Sequence, residues 1–89
     1  MHERAVMRQL VRRVVEVAGE ENADAVTAIR VRLGALSHFT PEHFREHFLD
    51  AARGTPAEGA AVDAVVSTDR TAAHADGVVL ENVELEVSP

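Results

Sequence analysis

The chain reads as a small α+β domain, two helices on one face of a three-stranded mixed sheet, in the order helix, strand, helix, strand, strand. Three observations predict this. Apolar residues recur at helical spacing near the amino terminus. Period-two alternation marks three later stretches. A strong helix-start signal, Thr40-Pro41-Glu42, falls between the first two strands. A strand-helix-strand unit closes right-handed and sets its two strands parallel, so the third returns antiparallel beside one of them. The 89 residues suit one domain, taken as residues 1–89, near the size where a single core gives modest stability.

Each element has its own signal. Met7, Leu10, Val11, Val14, Val15, Val17 and Ala18 predict an amphipathic helix from about Glu3 to Gly19. Glu3 in its first turn suits the helix dipole. Arg4, Arg8 and Arg12 line up at i, i+4 on another face, followed by Glu16 and Glu20. Such a stripe is solvated surface or a docking face for an acidic partner. Ala25 to Leu33 alternates, with Thr27, Ile29, Val31 and Leu33 on one side and Arg30 and Arg32 on the other. The second helix runs to about Arg53, with Gly54 as its stop and Phe44, Phe48, Ala51 and Ala52 as its apolar stripe. Ala60 to Ser67 is a strand with Val62, Ala64 and Val66 on one face. Val78 to Val87 is another, with Val83, Leu85 and Val87 opposed to Asn82, Glu84 and Glu86. Thr68 to Gly77 between them is small and polar, hence a loop.

Composition excludes several functions. There is no cysteine, so disulfides and thiolate zinc sites are out. No apolar run approaches the ~20 residues of a membrane span, and Met1 to Arg13 has no secretory apolar core; the expected location is the cytoplasm. The net charge of −6 is uneven: residues 1–33 carry +1 and residues 34–89 carry −7. An acidic body argues against nucleic acid, which needs a basic face. An exposed third strand could pair with a second copy, so the chain is expected to be a monomer or a homodimer.

Two groups of residues could carry chemistry. Met1-His2-Glu3 offers a terminal amine, an imidazole and backbone amides, a nitrogen set able to wrap a square-planar Ni(II) or Cu(II). Any chain opening Met-His shows the same groups. His43-Phe44-Arg45-Glu46-His47 matches the H-x-x-E-H zinc-hydrolase pattern, with both imidazoles on one helix face. That chemistry also needs a third ligand and a large cleft; His38, His74 or a stray carboxylate would have to supply the ligand. Otherwise His43 and His47 are polar-side residues flanking the Phe44/Phe48 stripe. No phosphate-binding glycine loop occurs, and neither Ser37 nor Ser67 has an identifiable base, so the chain is not expected to be an enzyme.

The residues also carry a resemblance. Met1-His2-Glu3 opens the first helix. Ile29-Arg30-Val31-Arg32-Leu33-Gly34-Ala35-Leu36-Ser37, then Pro41-Glu42 with Phe44 and Phe48, then Gly54-Thr55-Pro56-Ala57-Glu58-Gly59-Ala60 follow in order. This resembles the HypA family of nickel metallochaperones for [NiFe]-hydrogenase maturation, over about residues 1–66, and Gly77 to Val87 resembles that family's closing strand. The resemblance implies two helices on a three-stranded sheet. It implies nickel held by the Met1 amine, the His2 amide and imidazole and the Glu3 amide. It implies the GTPase HypB as a partner and delivery to the hydrogenase large subunit or urease. Imidazole and amide ligands must lose protons, so affinity should fall with acidity. The family inserts a zinc domain with two Cys-x-x-Cys pairs between its second and third strands; here only the loop of about 68–77 stands there, without cysteine, so no zinc is expected. The alternative is a metal-free protein-interaction module or hydrogenase assembly factor on the same scaffold.

Overall fold

The computed structural model describes residues 3–89. Helix α1 spans Glu3–Glu20, strand β1 Ala25–Leu33, helix α2 Pro41–Ala51, strand β2 Ala61–Val66 and strand β3 Val78–Glu86. The sheet order is β2-β1-β3. β1 lies in the middle, parallel to β2 and antiparallel to β3. Both helices pack against the sheet, α1 on β1 and β3 and α2 on β2. The expected architecture is therefore the observed one. Among the described residues, no helix is long and apolar enough to cross a membrane.

Helix α1 buries Met7, Leu10, Val11, Val14 and Ala18, one stripe at spacings of three and four. It ends one residue beyond the expected Gly19. The stop is Asn22, in the left-handed region at φ 53°. Its amide donates to the Gly19 carbonyl at 3.2 Å, and the Ala23 amide donates to the Ala18 carbonyl at 2.8 Å. That pair of bonds is a Schellman cap, with Asn standing where Gly is commoner. Gly19 is thus an ordinary helical residue, and a Cβ there would meet nothing within 4 Å. Gly19→Ala should stabilise the domain by about 0.5–1 kcal/mol by lowering backbone entropy in the unfolded chain. A raised urea midpoint at unchanged slope is the check.

Helix α2 begins as expected. Thr40 sits at φ −94°, ψ 156°, its hydroxyl oxygen accepts from the His43 amide, and Pro41 opens the first turn. Regular helix stops at Ala51, short of the expected Arg53, and a turn carries the chain to Gly54 at φ 75°. The Gly54–Ala60 stretch that carries part of the resemblance is a self-bonded turn. The Thr55 hydroxyl donates to the Ala52 carbonyl at 2.6 Å, and the Gly54 amide donates to Glu58 Oε1 at 3.0 Å. The Pro56 carbonyl accepts from the Val26 amide at 2.8 Å, which ties the turn to β1.

Two irregularities in the β1–β3 ladder alter the expected facing of side chains. Register shifts between Val26 and Ala28, so Val26 takes the core side. Thr27, expected inside, is exposed, and its hydroxyl donates to the Glu84 carbonyl at 3.2 Å. A bulge adds a residue on one strand and reverses the alternation beyond it. The second shift leaves Glu81 between the pairs Arg30–Asn82 and Val31–Leu80. Val78 and Leu80 on one side of it and Val83 and Leu85 on the other all pack on the core. Val66 and Val87, also expected inside, are 45% and 54% exposed; Val66 is the last residue of β2 and Val87 follows the last residue of β3.

The β2–β3 loop is held by backbone bonds. The Ser67 amide donates to Leu33, the Gly34 amide to Gly77 and the Leu36 amide to Ala75, at 2.7–2.9 Å. Asp69 accepts from the Thr71 hydroxyl and amide, and these bonds hold its carboxyl below the ordinary carboxylate range.

Candidate metal centre

Met1 and His2, two of the three residues expected to hold nickel, lie outside the described residues. Glu3, the third, is the first residue of α1. Its carboxylate reaches across to α2, where Glu3 Oε1 lies 3.0 Å from His43 Nε2. One turn further along α2, the His47 ring lies 4.2 Å from that of His43, centroid to centroid. A ligating atom from each of Glu3, His43 and His47 falls within 4.8 Å of the others. All three donors face solvent; the side chains of His43 and Glu3 are 44% and 48% exposed.

The placement follows from the two helix starts. The Thr40 cap and Pro41 fix the register of α2, so Phe44 and Phe48 enter the core and His43 and His47 share the adjoining face. Burial of Met7 and Leu10 in turn sets α1 so that Glu3 meets His43. Beside the cluster runs an open groove between the helices, lined by Arg4, Met7 and Arg8 from α1 and by His47 and Asp50 from α2. Two residues of the Arg stripe therefore edge this groove. Arg13, outside the stripe, makes the ion pairs to Glu16 and Glu20, at 3.5 and 3.1 Å.

The H-x-x-E-H pattern is thus completed by Glu3, a carboxylate forty positions away. His38, in the connection before α2, and His74, in the β2–β3 loop, are exposed residues at φ 66° and 64°, outside the cluster. Glu46, the would-be general base of a zinc hydrolase, is outside it too. Sequence spacing could show that two imidazoles share a face. It held no signal that the start of α1 would supply the third donor.

Fold and cluster together define a small α+β domain that gathers imidazole and carboxylate donors where its helices meet. Residues 1–76 match the HypA family model, described as hydrogenase/urease nickel incorporation, metallochaperone. The chain belongs to the HypA family. It is 39% identical over 70 residues to the hydrogenase maturation factor HypA of Archaeoglobus fulgidus, an alignment covering 79% of this chain and 62% of that one. It is 41% identical over 63 residues to its counterpart from Methylocella silvestris, covering 71% and 56%. With HypA 1 of Bradyrhizobium diazoefficiens it shares 40% identity over 65 residues, covering 73% and 58%. The chain thus spans about three fifths of the length of these curated relatives. The solution structure of the Ni metallochaperone HypA from Helicobacter pylori superposes with a TM-score of 0.80 at 16% identity, over 99% of this chain and 100% of that one. At that identity the likeness establishes the fold.

Proposed function

We propose that this chain is a nickel-binding accessory protein that takes up Ni(II) at its amino terminus and releases it during [NiFe]-hydrogenase maturation, without catalytic turnover. The ligands are the Met1 amine, the His2 amide and imidazole and the Glu3 amide, a four-nitrogen set of the kind square-planar Ni(II) favours. The observation that carries this reading is the position of Glu3. It heads α1 and is bonded to His43 on α2, so the start of the helix is tied to the body of the domain. Membership of a nickel-incorporation family supports it. The partners we propose on the same ground are the GTPase HypB and the hydrogenase large subunit, met in the cytoplasm.

Nickel titration of protein with its native terminus, followed by visible absorption, tests the site. A yellow, diamagnetic complex at about one equivalent is expected, as for square-planar nickel. His2→Ala should abolish that spectrum, and an added residue before Met1 should weaken it by removing the terminal amine. Retention of the same spectrum in His2→Ala would overturn the assignment.

A further inference from the structure

We infer that the Glu3 carboxylate and the His43 and His47 imidazoles form a second metal site, for a divalent transition ion such as Zn(II) or Ni(II), distinct in its donor atoms from the nitrogen set of Met1, His2 and the Glu3 amide. Imidazole with carboxylate is a donor set that such ions accept. Two donors share a helix face by their i, i+4 spacing, and the third comes from another helix. The site thus draws on tertiary structure as well as a local motif. A solvated Glu3–His43 hydrogen bond accounts for two of these groups. The His47 ring stands 4.2 Å from the first by its place one turn along the same helix face, and so adds a third donor beside that pair.

Distances favour closure on an ion. In a tetrahedral complex with bonds of about 2.1 Å, donor atoms stand roughly 3.4 Å apart. Glu3 and His43 are already at 3.0 Å, and all three donors lie within 4.8 Å. Small rotations of exposed side chains cover the remainder. Three protein donors leave the ion at least one position for water or another ligand. Arg4 and Arg8 edge the neighbouring groove and oppose a cation, while Asp50 favours one. Together with the exposure of the donors, that balance describes an exchangeable site rather than a structural one.

The site does not depend on the nickel reading, and Zn(II) is the probe that separates them. Zn(II) suits the tetrahedral imidazole-carboxylate set, whereas the terminal nitrogens suit square-planar ions. In calorimetric titration of the native-terminus chain, wild type and His2→Ala should bind one Zn(II) with equal affinity. His43→Ala and His47→Ala should each weaken binding by about tenfold or more, and Glu3→Gln by several-fold. Zn(II) should raise the melting temperature of wild type but not of the His43→Ala/His47→Ala double variant. In wild type and in His2→Ala, added Zn(II) should shift the imidazole NMR signals of His43 and His47 while those of His38 and His74 stay. Absence of Zn(II) binding by wild type, or unchanged binding in the double variant, overturns the site. Loss of Zn(II) in His2→Ala overturns its separateness.

Discussion

Phe44→Ala lowers the stability of this domain by about 3–5 kcal/mol, the range for deleting a fully buried phenyl ring. Phe44 has no solvent exposure and is the middle ring of three. It meets Phe39 edge to face at 5.6 Å and stacks on Phe48 at 6.3 Å. These three are the chain's entire aromatic content, so the rest of the core is aliphatic and has no large group with which to refill the space. At 0.05–0.15 kcal/mol per residue, such a chain has about 4–13 kcal/mol in total. Loss of the ring therefore removes a large share of it. Urea unfolding followed by circular dichroism reads the change, and a loss below about 1 kcal/mol would contradict the burial described.

Gly34→Ala is expected to cost about 2–4 kcal/mol, although it adds one methyl group. The Cβ would stand 2.1 Å from the Ala75 carbonyl oxygen, 2.5 Å from its carbon and 2.6 Å from the His74 oxygen. All three are backbone atoms, so no side-chain rotation relieves the clash. The loop has to withdraw, and the Gly34–Gly77 and Leu36–Ala75 hydrogen bonds go with it. Limited proteolysis should then cut between Ser67 and Gly77 in the variant before it cuts wild type. Equal resistance in the two, with unchanged urea midpoints, would show that the loop is not held against β1.

Elements with local signals were legible in the chain. Thr40-Pro41 announced α2 through a side-chain oxygen and a fixed φ, both properties of the residues themselves. Alternation located all three strands. The facing of Thr27 was not legible, because the bulge that turns it outward belongs to the pairing of β1 with β3. Asn22 took the helix stop from Gly19 for a similar reason: a left-handed residue is set by the bonds that close over it. At the candidate metal centre, the H-x-x-x-H spacing was visible and its partner was not. Nothing around Glu3 in sequence separates it from any acidic residue in a first helical turn. Only the docking of α1 on α2 brings it within 3.0 Å of His43.

The placement of β3 at one rim of the sheet has a consequence for biogenesis. Helix α1 rests partly on β3, yet more than fifty residues separate the end of one from the start of the other. A nascent chain leaving the ribosome therefore presents its first helix long before the strand that helps to seat it exists. The sheet on which α1 rests is complete only when translation has passed Glu86.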